Sequence, residues 1–208
     1  MDIDKKNIFS KMEDDENAIK IVLLGDSGVG KTSIVSMFVS GAMPEVAAPT
    51  VGAAFVTKQF ELNNNTFNLF IWDTAGQELY RGLAPMYYRN ASIAFIVFDI
   101  SREVTFNSVA YWIDELRENS TEDVIIVIVG NKNDLERNID MAKCEQFATE
   151  HKAIYCETSA TTATGIDRIF QLAIGEYERT QMNTSTSEIK ADTVNISEKK
   201  KKEKTGCC

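Results

Sequence analysis

Histidine is almost absent: His151 stands alone in 208 residues, and the four cysteines do not compensate for it. Cys144 and Cys156 are isolated and Cys207 and Cys208 are adjacent. No pair has metal-ligand spacing, and one imidazole cannot complete a site of the usual type. The two internal cysteines read as small core residues of a chain kept in a reducing cytosol. No apolar run approaches the roughly 20 residues of a membrane-spanning helix. The N-terminus, with Asp2, Asp4, Lys5 and Lys6, lacks the apolar core of a secretory signal. Glycosylation sequons such as Asn64-Asn65-Thr66 therefore carry no weight. Positive charge is also scarce in the body. The net charge is −9, although residues 181–208 hold six Lys against four acidic residues. So acidic a body argues against bulk electrostatic binding of nucleic acid, and no nucleic-acid partner is expected.

What is present is ordinary for one soluble domain with extensions: 44% apolar and 25% charged residues. Residues 1–17 are polar without a sustained period and read as a mobile arm. The apolar run Ile19–Leu24 is a strand, and a helix begins after Gly30 and ends near Ser40-Gly41, where glycine serves as a cap. Residues 41–50, with two prolines, read as an exposed loop. Ala53–Leu62 and Thr66–Trp72 are strands joined by a turn at Asn63-Asn64-Asn65. The runs from Ser92 to Phe98 and Val124 to Val129 have the continuous apolar character of buried parallel strands. Val109, Trp112, Ile113 and Leu116 fall on one helical face; Met141–His151 is a short amphipathic helix. A last strand at Ala153–Cys156 precedes a helix over Gly165–Tyr177 bearing Ile166, Ile169, Phe170 and Ile174 on one side. This alternation predicts a three-layer α/β fold with a mostly parallel sheet and ligand-binding loops at the carboxyl ends of its strands. The domain is expected over 18–178, followed by a disordered tail over 179–208 whose composition cannot support a core.

The stretch that organises the chain is Gly25-Asp26-Ser27-Gly28-Val29-Gly30-Lys31-Thr32. It fits G-x-x-x-x-G-K-[ST] between a strand and a helix, the context that a phosphate-binding loop requires and an ordinary Gly-rich turn does not. Its glycines permit a tight turn that aims backbone N–H groups of Ser27–Thr32 and Ser33 at phosphate oxygens, aided by the positive end of the helix. Lys31 supplies a point charge for the β- and γ-phosphates, and the Thr32 hydroxyl is a ligand for Mg²⁺. Asp73 follows a strand, as the acidic residue that holds Mg²⁺ through a water does in such folds. Gly76 brings a backbone N–H to a terminal phosphate, and Gln77 orients an attacking water. After the greasiest strand comes Asn131-Lys132-Asn133-Asp134. An Asp carboxylate only accepts, so Asp134 matches the paired N–H donors of guanine and not the edge of adenine. Asn131 can brace the loop, and the Lys132 stem can cover the sugar. In Glu157-Thr158-Ser159-Ala160, a backbone N–H of Ser159 or Ala160 can meet the guanine oxygen while the segment buttresses Asp134. A plain polar turn is the alternative at 131–134.

Together GDSGVGKT, Thr50, WDTAGQE, NKND and ETSA resemble the Ras superfamily of small GTPases. Within it, the segments at Thr50–Phe55, Leu69–Trp72, Tyr87-Tyr88-Arg89, Val97–Ser101 and the Cys207-Cys208 pair resemble the Rab branch. Ala53-Ala54-Phe55 and Leu83–Tyr88 resemble its early-endosomal (Rab five-like) subgroup. The likeness spans about residues 18–178. It implies the P-loop GTPase fold with a six-stranded sheet, GTP/GDP and Mg²⁺ as ligands, and slow hydrolysis without an activating protein. It implies switch I at about 41–55 and switch II at about 73–88, with Thr50 on Mg²⁺ and the γ-phosphate and Gln77, Gly76 and Lys31 serving hydrolysis. It places Phe55, Trp72 and Tyr87 in an exposed aromatic triad read by effectors, with core packing as the alternative. The implied partners are an exchange factor, a GTPase-activating protein, effectors, a prenylation escort protein and a GDP-dissociation inhibitor (GDI). The implied location is the cytoplasmic face of an intracellular, endosomal membrane, cycling with cytosol.

Three positions depart from the family pattern. Met43 stands where an aromatic residue stacks on guanine, Thr161 replaces the Lys after the last motif, and Leu79 replaces an Arg in switch II. The first two predict a weaker guanine pocket and faster nucleotide release. Lys199–Lys202 and Lys204 form a basic cluster before Cys207 and Cys208, a pair that the resemblance marks for geranylgeranyl groups. A solvated tail with two incidental thiols is the alternative. Two rival functions remain at this point, a P-loop ATP enzyme such as a nucleotide kinase and a non-hydrolysing scaffold. Asp134 argues against the first; Gln77, Thr32 and Thr50 argue against the second.

Overall fold

The computed structural model describes residues 15, 17–45, 50–76, 87–120 and 124–182. At its centre lies β1 (Ala18–Leu24), whose residues from Ile19 onward are all buried. Its side chains alternate between two cores: Ile19, Ile21 and Leu23 enter one, Val22 and Leu24 the other. A strand apolar on both faces belongs in the middle of a covered sheet, and β1 pairs in parallel with β3 (Asn65–Thr74) and β4 (Ile93–Asp99). The sheet continues in parallel through β5 (Ile125–Asn131) and β6 (Ile154–Thr158). Only β2 (Ala53–Leu62) runs antiparallel, giving the order β2-β3-β1-β4-β5-β6. The expected six-stranded, mostly parallel sheet is what the chain forms.

The first core is closed by α1 (Lys31–Ser40) and by a last helix, α5, over residues 166–182. Phe38 of α1 stacks on Phe170 of α5 with ring centroids 3.5 Å apart, and Phe95 meets Phe170 edge-on at 4.9 Å. Each buried ring of this kind contributes about 1.5–3 kcal/mol. The second core is closed by α2 (Glu103–Asn107), α3 (Val109–Asn119) and α4 (Met141–Glu150), through Phe106, Trp112, Ile113, Leu116, Cys144 and Ala148. Cys144 is a core residue as expected, whereas Cys156 is only half-buried on β6.

Several boundaries differ from expectation for physical reasons. Strand β3 runs past Trp72 because Asp73 and Thr74 pair with Ala54 and Ala53, and Thr74 Oγ1 donates to Leu23 O at 2.6 Å. That pairing delivers Asp73 to the carboxyl edge of the sheet. Helix α5 continues to residue 182, beyond its apolar stripe, where Arg179 Nε donates to Glu176 and Asn63 Nδ2 donates to Glu178 at 3.0 Å. Asp15 and Asn17 are held against β3: Asn17 O accepts the Asn68 N–H at 3.0 Å, and Asp15 accepts the Asn68 amide at 2.7 Å. Among the described residues no helix is long and apolar enough to cross a membrane.

Candidate functional site

The loop between β1 and α1 carries the phosphate-binding pattern at the carboxyl edge of the sheet. Its backbone is shaped by glycine where no other residue fits. Gly30 has φ 99°, and a Cβ there would overlap the Asn131 amide nitrogen. Val29 is fully buried and pins the loop to the core, while Ser27 and Gly28 are exposed. Lys31 folds back, donating to Gly25 O at 2.7 Å and Asp26 O at 2.9 Å. Burial pushes its ammonium down to about 8, against the pull of Asp73 and Asp26. A phosphate chain would add to the counter-charge of Asp73 and Asp26 and offset the burial of this lysine.

Beside it, three segments distant in sequence converge. Thr32 Oγ1 donates to Asp73 Oδ2 at 2.6 Å and lies 3.0 Å from Thr50 Oγ1. These are the three residues expected to serve Mg²⁺. The second carboxylate oxygen, Asp73 Oδ1, is buried and takes no hydrogen bond. Burial raises the Asp73 pKa, and the Thr32 bond, the Lys31 charge and the Thr50 bond only partly offset that. An orphaned carboxylate oxygen among hydroxyls is costly unless a cation or water meets it. One carboxylate and two hydroxyls form a donor set that fits Mg²⁺, a hard cation that takes oxygen ligands. Gly76 closes the site from above: a Cβ there would collide with the backbone of Gly25 and Asp26.

The two loops expected to read a base lie next to each other. Asn131, 1% exposed, donates to Val29 O at 2.8 Å and accepts from Thr158 Oγ1 at 3.0 Å, bracing the loop as expected. Lys132 does more than cover a sugar. With φ 67° its side chain turns to donate to Gly28 O at 2.8 Å and to pair with Asp99 at 2.8 Å. Asp134 is exposed at the rim. The Ser159 hydroxyl accepts the Thr162 N–H at 3.1 Å, and its own N–H goes to Thr164 O at 3.0 Å. The amide left to meet a guanine oxygen is therefore that of Ala160, which is 5% exposed.

The sequence pattern of the Ras family matches residues 20–179. The chain belongs to the Ras family. Among its curated relatives is Ras-related protein Rab-22A of Canis lupus familiaris, 44% identical over 154 residues, which are 73% of this chain and 79% of that protein. Rab-22A of Homo sapiens gives the same figures. Ras-related protein Rab-31 of Mus musculus is 43% identical over 155 residues, 74% of this chain and 80% of that protein. The expected Rab likeness therefore holds, and with it the class of activity: this Rab is a guanine-nucleotide-binding GTPase, not an ATP-dependent kinase.

In this Rab the aromatic triad is packed more deeply than expected. Phe55 and Trp72 rings lie 5.0 Å apart and Trp72 and Tyr87 5.8 Å apart. Trp72 is only 4% exposed and belongs to the second core, so Phe55 and Tyr87 carry what surface the triad has. Sequence reasoning also missed three charged residues. Asp26 accepts from Ser108 Oγ at 2.8 Å and Trp112 Nε1 at 3.3 Å, tying the loop to α3. Arg137 grips Glu157 at 2.6 and 2.7 Å, joining the loop after β5 to the end of β6. Asp99 holds Lys132 and Arg102. Gln77, Leu79, Cys207 and Cys208 lie outside the described residues.

Proposed function

We infer that this GTPase is a membrane-traffic switch whose nucleotide lies along Ser27–Ser33, with Asn131, Lys132, Asp134, Ser159 and Ala160 around the base. The observation that carries the reading is the convergence of Thr32, Thr50 and Asp73 with one carboxylate oxygen uncommitted. Thr32, Thr50 and Asp73 are the residues that would hold Mg²⁺, which would neutralise phosphate charge there. Lys31 leaves the Gly25 and Asp26 carbonyls to face the same phosphates. Gly76 gives its N–H to the γ-phosphate, and Gln77 orients the water. The water oxygen bonds to the γ-phosphorus, the bridging oxygen leaves with GDP, and the water's protons pass to phosphate and solvent. Thr50 and Gly76 come from different loops, so loss of the γ-phosphate frees both and disorders the surface that effectors read. The same reading assigns an exchange factor, an activating protein, a prenylation escort protein and GDI as partners, with an endosomal membrane as the working surface.

The test is titration of fluorescent GTP and GDP into wild type and Thr32→Asn, with ATP as competitor, with and without Mg²⁺. Wild type should ignore ATP and bind GTP more tightly with Mg²⁺. Thr32→Asn should lose roughly tenfold more affinity for GTP than for GDP, because the cation that Thr32 would help to hold has more phosphate charge to neutralise when the γ-phosphate is present. Equal losses would remove Thr32 from the cation.

A further inference from the structure

Three consecutive carbonyls of the phosphate loop are held from outside. Arg102 Nη2 reaches Ser27 O at 3.4 Å, Lys132 Nζ reaches Gly28 O at 2.8 Å, and Asn131 Nδ2 reaches Val29 O at 2.8 Å. In a trans peptide the next residue's N–H points opposite its carbonyl. Holding these carbonyls on the outer side therefore turns the N–H groups of Gly28, Val29 and Gly30 to the other side, where phosphate is bound in the reading above.

Two of the three donors rest on one carboxylate. Asp99, the last residue of β4, is 1% exposed. Its Oδ2 lies 2.8 Å from Lys132 Nζ and 3.5 Å from Arg102 Nε. Its Oδ1 accepts the Ser101 N–H at 3.0 Å and the Ser101 hydroxyl at 2.6 Å. Burial alone would raise its pKa; the Lys132 and Ser101 hydrogen bonds and the Lys132 charge outweigh that and hold it below the usual carboxylate value. Lysine is a flexible point charge, and without an anchor its stem samples many rotamers. A fixed anion below the ammonium selects the rotamer that meets Gly28 O.

We propose that Asp99 is a positioning residue for the nucleotide, a buried anion that sets two cationic arms on the Ser27 and Gly28 carbonyls and so keeps the phosphate loop in its binding shape. Asp99 touches neither nucleotide nor Mg²⁺ in this scheme, which rests on the nucleotide reading of the loop.

The test is release of fluorescent GDP from the full-length chain, with ³¹P spectra of the bound GDP. Asp99→Asn keeps the shape and removes the charge, and release should be roughly tenfold faster, as expected for loss of a charge-assisted hydrogen bond. The double variant Asp99→Asn with Lys132→Met should release at most about twofold faster than Lys132→Met alone, the share that passes through Arg102, since the rest of the Asp99 effect acts through the Lys132 contact. The β-phosphate resonance should move in Asp99→Asn, which a merely loosened fold would not cause. Arg102→Met strands no buried charge and should release about twofold faster; it decides the matter should Asp99→Asn fail to fold. Release at the wild-type rate, or effects that multiply in full in the double variant, overturns the clamp. A wild type that binds no guanine nucleotide overturns the nucleotide reading and the clamp together.

Discussion

Lys20 and Lys31 are both buried, at 2% and 5% exposure, and burial pushes both down to about 8, yet they do different work. Lys31 sits in the phosphate loop, where nucleotide would restore its charge. Lys20 lies under the second core, donating to Arg89 O at 2.5 Å, with its ammonium 5.6 Å from the Trp72 ring. Its ordinary value is 10.5. Between about 8 and 10.5 the unfolded chain therefore holds more protons at this position than the folded chain. Stability at this group rises as pH rises through that window, and the cost of the buried charge is constant below it. In GDP-loaded protein, wild type should gain on the order of 1 kcal/mol relative to Lys20→Met between pH 7 and 9.5, allowing for screening. Denaturant unfolding of both proteins at the two pH values measures this, and a pH-independent difference would contradict it. Lys31, Thr32, Asp73 and Asn131 were legible in the sequence because each sits in a short motif at or just after a strand end, whereas Thr50 was legible only through the family resemblance. Lys20, Asp26 and Asp99 were not, because what defines them is a remote partner. Arg89 is 69 residues from Lys20, and Ser108 is 82 from Asp26. No local pattern encodes such pairs.

Strands and helices with an apolar period were legible nearly to the residue, as with Ala53–Leu62 and the helix ending at Gly41, whose N–H returns to Met37 O at 2.9 Å. The hairpin turn was too: Asn63 and Asn64 have φ 51° and 64°, the left-handed pair that a two-residue turn needs and asparagine tolerates. Segments whose course is set by partners rather than by period were less so. The end of β3 depends on pairing with β2, and β6 runs to Thr158 through pairing with Asn131, which puts Glu157 and Thr158 in the strand instead of a loop. The stretch after α1 matters most for function. Met43 there is 44% exposed, and Phe38, the nearby aromatic that could replace it over the base, is committed to its stack on Phe170 and is 2% exposed. Thr161 is exposed as well and has no long stem to lay beside a base. Aromatic stacking on a base contributes about 1–3 kcal/mol, and a methionine sulfur recovers about 0.3–1.5 kcal/mol of it. Met43→Phe should therefore slow GDP release several-fold, and Thr161→Lys should add to that. Stopped-flow release of fluorescent GDP reads the effect; an unchanged rate in both variants would mean the base is already fully covered.

Across the whole chain, charge is segregated. The net charge is −9, while Lys199–Lys202 and Lys204 cluster just before Cys207 and Cys208. An acidic body is repelled by the anionic cytoplasmic leaflet, whereas each Lys near that surface contributes about 1 kcal/mol of attraction. On the proposed membrane reading, electrostatics alone would favour the tail at the surface and the body away from it. It does not anchor the chain, and one lipid is marginal too, so stable attachment takes two signals. Between residue 182, the last described in α5, and Cys207 the chain spans at most about 90 Å when extended. The proposed nucleotide-site residues all fall between Ser27 and Ala160, so on this reading nucleotide binding should be separable from the cysteine pair. The variant with Cys207→Ser and Cys208→Ser should move from membranes to the soluble fraction, while GDP release stays at the wild-type rate. Each single variant should retain part of the membrane pool, because one lipid and the basic run remain. Fractionation of cells expressing the tagged chains, beside release kinetics on the purified proteins, measures both halves. Persistent membrane association of the double variant would assign the anchor to something other than the cysteine pair.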